Sequence, residues 1–507
     1  MPGQSPDMES YRVARTRAMA HIGASDAKGP MPNLKINNIE IAVEPGTLLL
    51  DACARAGFDI PHYCSHPALS PVATCRMCMV EIKGQPKLAT SCTTMAMDGQ
   101  EVLTHSPAAV DARAGVMEFL LMNHPLDCPI CDQAGECLLQ DYSYKYGSGD
   151  SRMVEPKRRY RYEDLGAKIV IDKNRCIHCT RCIRFTQEVS GTFELTVANR
   201  GAELEVTTYA GRTMDDNPLA GNVVDLCPVG ALTSRDFRFN KRVWYLKPVP
   251  TISRHSAMAN PIWADVDQNR VWRFRPRPLE GRTATCFMFD HERYRYHRYD
   301  LDPTTRPARS LLRGAEASGE QVAEALREAG PAAVVAQGTF GCDAVQRLAG
   351  LAAAPDLCFG SGECLYPIRF PALQPSADGI FNRRGLAERG YRFGALEELL
   401  ERVRSGEVRA VVMLHDAEFS SEGETRILRD ILEAARFSLV LEPIPGAFSE
   451  MATARLPVAT YLEETDFIVT HEGELRCYKK ALDPPKGVKP IVEWARDLQK
   501  ASRTSPV

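Results

Sequence analysis

Twelve residues between Cys64 and Cys227 constrain this 507-residue chain more than anything else in it, because they fall into three consecutive sets of four. The first set is Cys64, Cys75, Cys78 and Cys92, the second His124, Cys128, Cys131 and Cys137, and the third Cys176, Cys179, Cys182 and Cys227. Four ligands saturate one iron-sulfur core, and a loop tied at four points to one core has few conformations left. The spacing therefore predicts an electron carrier with one [2Fe-2S] and two [4Fe-4S] clusters, every ligand position filled and no catalytic residue of its own.

Local patterns give each set its setting. Asn33 to Val43 reads as a strand pair turning at Asn37-Asn38, and Thr47 to Ala56 as a helix with Leu48, Leu49, Ala52 and Cys53 inward and Gly57 as its stop. Strands, helix, then a cysteine loop is the layout of a plant-type [2Fe-2S] ferredoxin fold. The loop carries ten residues between Cys64 and Cys75, where plant-type ferredoxins have four. A structural zinc site would also accept four cysteines with a C-x-x-C pair. Pro107 to Met122 is an expected amphipathic helix, with Ala109, Ala112, Val116, Phe119 and Leu120 on its apolar face. His124 follows it, four positions ahead of Cys128, and is the residue near enough in sequence to complete a cube with Cys128, Cys131 and Cys137. Zinc is again the competitor.

The third set has the most specific pattern. Bacterial two-cluster ferredoxins use C-x2-C-x2-C-x3-C-P twice, each fourth cysteine serving the other cube. Here Thr186 replaces the fourth cysteine of the first run, and Asn217, Ala220 and Val223 stand where the first three of the second run would be. Cys227-Pro228 survives. Half of the double motif is erased, leaving the ligands of one cube, and His178 is not needed among them.

Together with Asp141-Tyr142-Ser143-Tyr144, the run Gly221 to Thr233 and Trp244, these motifs resemble the large iron-sulfur subunit of NADH:quinone oxidoreductase, respiratory complex I, over residues 33 to 246. Ala73 sits where that family usually has glycine in the first loop, and Ala134 replaces the first of two glycines in the second. The resemblance implies partners: a flavoprotein subunit that oxidises NADH, a two-cluster ferredoxin-like subunit, and a membrane arm reached indirectly. It also implies a place on the cytoplasmic face of a bacterial inner membrane, or alternatively the mitochondrial matrix side. The first 240 residues are shared in outline by the iron-sulfur subunits of soluble NAD-linked formate dehydrogenases and hydrogenases, which form the alternative. A further C-x2-C-x3-C site found in some members is absent, since Thr251 to Arg277 contains no cysteine.

Beyond residue 240 the patterns change. Ile262 to Arg275 reads as a hairpin turning at Asp267 to Arg270. Helix and strand patterns then alternate: Gln321–Glu328, Ala332–Ala336, Ala344–Ala353, Leu396–Val403, Val408–Leu414, Arg426–Ala435 and Phe437–Leu441. This is an α/β arrangement with a mostly parallel sheet. With Asn382 to Leu386 and Leu456 to Ala459, it is similar to the reduced molybdopterin-oxidoreductase domain the family retains. Cys286, Cys342, Cys358, Cys364 and Cys477 are scattered singly and are expected to be free buried thiols. No molybdenum ligand is evident among them, so no molybdopterin is expected on this chain, and Gly360-Ser361-Gly362 lacks the third glycine of a dinucleotide fingerprint, so no flavin or NAD is expected either.

The expected fold is thus multidomain, α+β followed by α/β. Residues 1–32 form a disordered extension, 33–105 a [2Fe-2S] ferredoxin-like domain, 106–150 a His/Cys [4Fe-4S] segment, 151–240 a [4Fe-4S] ferredoxin-like domain and 241–507 the degenerate α/β domain. Residues 1–32 are polar and lack the apolar core of a secretory signal, and Asp7, Glu9 and Asp26 argue against a mitochondrial presequence. A net charge of −3 offers no field for nucleic acid. The basic run Lys157 to Tyr162 is expected to be a solvated or interface loop, and the Arg/Tyr-rich stretch 290–309 a contact surface. No apolar run approaches the roughly 18 residues of a membrane span.

Overall fold

The computed structural model describes residues 30–160, 163–209, 211–254, 259–299, 309–352, 358–359, 382–393, 396–416, 420–444, 446–470 and 472–503. Most of the expected amino-terminal extension, Gly360 to Gly362, Cys364 and residues 300–308 lie outside them. The chain divides into two compact units, Met1–Val243 and Trp244–Val507.

In the first unit, β1 (Asn33–Ile36) and β2 (Ile39–Ala42) pair through a two-residue turn in which Asn37 and Asn38 are both left-handed, with φ of 47° and 72°. Asparagine tolerates that region better than other side chains, which is why the pair can hold the turn. After α1 (Leu49–Arg55) come β3 (Met79–Ile82), β4 (Ala89–Thr90) and β5 (Glu101–Leu103), giving a sheet ordered β2-β1-β5-β3-β4. Leu49, Ala52 and Cys53 pack on Leu34, Ile36, Val80, Ile82 and Val102, whereas Leu48 is only half-buried. β1 and β5 run parallel, so the chain must cross over between them, and the cysteine loop lies within that crossover.

Ser106 caps α2 (Pro107–Asn123) by accepting a hydrogen bond from Ala109 N, and proline at N1 sacrifices no needed donor. The expected apolar face is borne out in part, since Val116 and Leu120 pack against a core cluster. Ala109, Arg113 and Met117 are buried, while Phe119 is 74% exposed. Arg113 joins the buried side: its Nη2 donates to Met79 O at 3.0 Å, and its guanidinium lies over the Tyr146 ring of α3 (Leu138–Tyr146).

The next stretch contains β6 (Glu163–Asp164), β7 (Ile169–Ile171), β8 (Leu195–Ala198), β9 (Glu205–Thr208) and β10 (Leu232–Ser234). β10-β7-β6 form one antiparallel sheet and β8-β9 a hairpin. α4 (Arg181–Arg184) runs into a π-helical turn at Phe185–Val189, and α5 (Asn222–Leu226) precedes Cys227. The basic run beginning at Lys157 is an exposed loop, as expected, and two of its cations are tied to backbone carbonyls. Lys157 Nζ caps α2 through Leu121 O and Met122 O at 2.8 and 2.9 Å, and Arg158 donates to Ala202 O at 2.7 Å. Cations suit the carbonyl end of a helix.

The second unit opens with an antiparallel sheet of β11 (Lys247–Ile252), β12 (Pro261–Asp267) and β13 (Arg270–Pro276), the last two joined through Gln268 and Asn269. There follow β14 (Leu311–Leu312), β15 (Ala315–Glu316), α6 (Gly319–Ala329), β16 (Ala332–Gln337), α7 (Cys342–Ala349), β17 (Cys358–Phe359) and α8 (Leu396–Arg404). The order continues with β18 (Ala410–Leu414), α9 (Glu422–Ala434), β19 (Phe437–Glu442), β20 (Ala454–Pro457), β21 (Asp466–Val469), β22 (Leu475–Tyr478) and α10 (Ile491–Arg503). The main sheet reads β15-β14-β20-β19-β18-β16-β17, with β17 to β20 and β16 parallel.

Helices cover both faces, which explains the continuous apolar strands. Val334, Ala336, Val412 and Leu414 face α6, α7 and α10, while Ala333, Val335, Val411 and Met413 face α8 and α9. Cys286 and Cys342 are buried as expected, but Cys477 is exposed. It shares with Leu475 the open face of the two-stranded β21-β22 ribbon. Among the described residues no helix is long and apolar enough to cross a membrane.

Candidate iron-sulfur centres

Cys64 follows α1, Cys75 and Cys78 lead into β3, and Cys92 follows β4, so sheet and helix deliver the first set to one place. The thiols of Cys64 and Cys75, Cys64 and Cys92, and Cys78 and Cys92 interact pairwise. Hydrogen bonds from Cys75 and Cys92 hold the Cys64 thiol far down, at about 2, and push its two partners up. Four thiols so crowded cannot all ionise unless cations neutralise them. Backbone N–H groups are already aimed at sulfur: Tyr63 N lies 3.4 Å from Cys75 Sγ, and the Thr74 and Cys75 amides donate to Cys64. To bring them there the loop turns left-handed at Ala73 (φ 53°) and Arg76 (φ 61°). Ala73 is the alanine that stands at a usual glycine position.

The second set sits between α2 and α3. His124 caps the end of α2, and Cys137 is the N-cap of α3. Cys131 and Cys137 are buried and Cys128 is exposed, and the three thiols feel one another's charge. His124 Nδ1 is buried with no hydrogen-bond partner. Burial, then Arg175 and Lys157, lower the His124 pKa to about 4, which leaves a neutral imidazole with a free lone pair. Arg175, which Cys131 also feels, pairs with Asp127 at 2.8 Å and Asp172 at 3.3 Å. The loop is locked from outside by Arg242, which donates to Pro129 O and, at 2.7 Å, to Cys131 O. A Cβ on Gly230 would come well inside 3.0 Å of Cys131 Sγ. Ala134, the second departure from the family's glycines, is buried and not left-handed; Gly135 takes the positive φ instead.

In the third set, Cys176, Cys179, Cys182 and Cys227 all line one small cavity, walled by Ile171, Ile177, Val206, Val229 and Leu232. His178 (φ 53°) and Thr180 (φ 62°) alternate left-handed with the cysteines, and His178 N approaches Cys176 Sγ at 3.4 Å. The amides of Val229, Ala231 and Leu232 donate to Cys227. Burial raises the thiols of Cys176 to about 12 and Cys179 to about 11. The erased half of the motif is filled with packed side chains: Thr186, Asn217, Ala220 and Val223 are all buried. Asn217 donates to Ser190 Oγ and Thr192 Oγ1, while Thr186 Oγ1 donates to Ile183 O at 2.9 Å.

Among the described residues no trio of His, Cys, Asp or Glu is gathered about a single metal ion. An iron-sulfur core asks for none, since each iron takes two protein ligands in a [2Fe-2S] core and one in a cube. Crowded thiols, amides directed at sulfur, an orphaned imidazole nitrogen and a cavity lined by four cysteines fit such groups. One apolar cluster gathers residues from all three sets: Cys64 and Cys75, Cys137, and Cys176, Cys179 and Cys227, around Tyr63, Met117, Leu139 and Val229. Sequence reading missed Tyr63, which is fully buried, reaches Met117 Sδ at 3.3 Å and feels both Cys75 and Cys137. Its only signal was its place beside Cys64.

Three family models match in turn: a 2Fe-2S iron-sulfur cluster binding domain over residues 30–107, an NADH-ubiquinone oxidoreductase-G iron-sulfur binding region over 113–152, and an NADH-quinone oxidoreductase subunit 3 ferredoxin-like domain over 166–233. The G-type NADH-quinone oxidoreductase subunit of Rickettsia felis is 42% identical over 275 residues, 54% of this chain and 41% of that protein. The NADH-ubiquinone oxidoreductase 75 kDa subunit of Reclinomonas americana is 43% identical over 247 residues, 49% of this chain and 36% of that protein. A chain from the crystal structure of an NAD+-reducing [NiFe]-hydrogenase in the H2-reduced state is 30% identical, with a TM-score of 0.38, over 42% of this chain and 91% of that one. The match thus spans about two fifths of the length of the curated relatives. Over its amino-terminal half, this chain is a relative of the large iron-sulfur subunit of NADH-quinone oxidoreductase.

Proposed function

We propose that the chain is an electron-transfer subunit in the peripheral arm of an NADH:quinone oxidoreductase, carrying single electrons from an NADH-oxidising flavoprotein subunit toward quinone. Cys64, Cys75, Cys78 and Cys92 would hold a [2Fe-2S] cluster. His124, Cys128, Cys131 and Cys137 would hold one [4Fe-4S] cluster, and Cys176, Cys179, Cys182 and Cys227 the other. When bound, such clusters take up and release single electrons without making or breaking covalent bonds in a substrate. The chain's own residues bind them with thiolate and imidazole, orient them through amide N–H groups, and keep water out with Tyr63, Met117, Leu139 and Val229.

The observation that carries this reading is the shared apolar cluster bordered by all three ligand sets. Separate structural metal sites have no reason to converge on one core; a relay does. Exposed Phe119, Leu126, Ile130 and Val154, near the second set in the chain, suit burial against other subunits, including a two-cluster ferredoxin-like one. Proton translocation and attachment to the cytoplasmic face of the membrane would belong to those partners. The domain limits 33–105, 106–150, 151–240 and 241–507 go with the proposal. So does a reduced molybdopterin-oxidoreductase-like role for the last of these domains, supported by its doubly wound sheet.

Iron quantitation with electron paramagnetic resonance on the reduced full-length chain tests the reading. About ten irons and three cluster signals are expected, from two plus four plus four. Zinc in place of iron, or a single cluster, would sink it.

A further inference from the structure

The ten-residue gap after Cys64 is folded against α4. Arg184 Nη2 donates to Cys64 O at 2.5 Å and reaches Cys179 O at 3.5 Å, while Nη1 donates to Ser70 O at 2.5 Å and Nε to Thr180 Oγ1 at 3.3 Å. Arg181 donates to Ser65 O and, at 3.3 Å, to Leu226 O. Glu188, on the following π-helical turn, accepts from Ser70 N at 2.8 Å. Two arginines therefore join the loop of the first ligand set to the helix of the third.

Both guanidinium groups are more than nine-tenths buried, and among the described residues neither has a carboxylate partner. The oxygens they meet are neutral, carbonyls and the Thr180 hydroxyl, and Arg181 Nε is buried with no hydrogen-bond partner, so their charge is not neutralised by these contacts. A buried cation in that condition is costly unless an anion stands near. Glu188 stands near but is bonded to Ser70 N, whereas Arg184 Nη2 meets the carbonyls of two ligand-set residues, Cys64 and Cys179, and the sulfurs of Cys179, Cys227 and Cys64 act on Arg181. A sulfur carries negative charge while iron holds it as thiolate.

The second set differs in a way that agrees with this account. Its ligands include one neutral imidazole in place of a thiolate, so its cluster would be one unit less negative. Its buried arginine, Arg175, is already paired with Asp127 and Asp172. Arginines without carboxylates accompany the four-thiolate sets, and a neutralised arginine accompanies the mixed one.

We propose that Arg181 and Arg184 are the shared counter-ions of the Cys64 and Cys176 ligand sets, raising the reduction potentials of both clusters together. The step rests on the reading that both sets hold clusters. Reduction adds negative charge, and a fixed cation in a poorly polarisable interior favours the reduced form. Because both guanidiniums lie between the two sets, neutralising either should move both potentials the same way.

The test is a redox titration of the full-length, cluster-loaded chain, followed by electron paramagnetic resonance, for wild type, Arg181→Gln, Arg184→Gln and Arg184→Lys. In the glutamine variants the signals of the Cys64 and Cys176 sets should shift to lower potential. A tenfold change in their reduced-to-oxidised ratio, about 59 mV for one electron, is expected. The His124-set signal should stay in place, and lysine should keep most of the wild-type potential. Unmoved potentials in both glutamine variants, or an equal shift in all three signals, would overturn the proposal.

Thermal melting of the chelator-stripped chain gives a second readout. Without thiolates the arginines are uncompensated charges, so the stripped glutamine variants should melt no lower than stripped wild type. A lower melting point there would mean that the arginines act only through their carbonyl hydrogen bonds, and the proposal would fall. Loss of iron from these two sets in a variant whose stripped form melts normally would support it. A wild-type chain that takes up no iron would instead defeat the relay reading itself.

Discussion

Replacing Gly230 by alanine separates what position in the chain suggests from what the fold arranges. Gly230 lies three residues after Cys227, and its backbone is not left-handed, so any L-residue could adopt its local conformation. Space forbids it. The new methyl would overlap Cys131 Sγ, a residue of the second ligand set, and stand 3.2 Å from Gln133 Cβ. Neither side is free to yield, since Cys131 is buried and its carbonyl is held by Arg242. Overpacking of this kind costs roughly 1–3 kcal/mol. Set against ligand binding at 1.4 kcal/mol per decade, that is about a 5- to 140-fold weaker hold on the second cluster. Iron per chain should fall from about ten toward about six, with the His124-set signal disappearing first. Melting of the loaded chain should drop by about 2–4 °C for each kcal/mol. If the Cys176-set signal vanishes first, or all three persist at full intensity, the steric reasoning is wrong.

Three further outcomes are expected. His124→Ala should lose or convert the second cluster, and an unchanged iron count with an unchanged reduced spectrum would remove His124 from the ligand set. Ala73→Gly relieves a left-handed alanine at φ 53° and should stabilise the chain by about 0.5–1 kcal/mol, the conformational relief less the entropy glycine adds; a lower melting point would contradict this. Glu464, buried beside Asp466, has its pKa pushed up to about 8 by burial and by that carboxylate. Below its ordinary value of 4.5 both folded and unfolded chains hold the proton; between there and 8 only the unfolded chain releases it, so stability falls as pH rises through that window. The slope is at most about 1.4 kcal/mol per pH unit. Glu464→Gln should flatten it and raise the melting point at pH 8, and an unaltered slope in melts from pH 5 to 8.5 would refute the assignment.

Much of the architecture is written locally. The Asn37-Asn38 turn, the Ser106-Pro107 helix start and the alternating helices and strands after Gly319 each depend on residues close in the chain, so patterns of spacing reveal them. The burial of Arg113 on α2 is not legible in this way, because its acceptor, Met79 O, lies on a strand 34 residues earlier. The capping contact of the exposed Lys157 is hidden for the same reason: the carbonyls it caps end a helix more than thirty residues before it. Cys477 reads as a buried thiol since composition cannot tell which face of a ribbon lies open.

By itself the sequence determined the ligand sets as candidates, since cluster chemistry demands four donors at spacings short enough to count. It also determined the loss of half a duplicated motif, visible as Thr186, Asn217, Ala220 and Val223 in cysteine positions. Tertiary structure alone decided that the three sets border one apolar core, that Gly230 serves the second set and not the third, and that Arg181 and Arg184 bind the first set's loop to the third set's helix. Those facts depend on pairs separated by about a hundred residues, where packing, burial and the need to satisfy buried charge choose partners that no local pattern encodes.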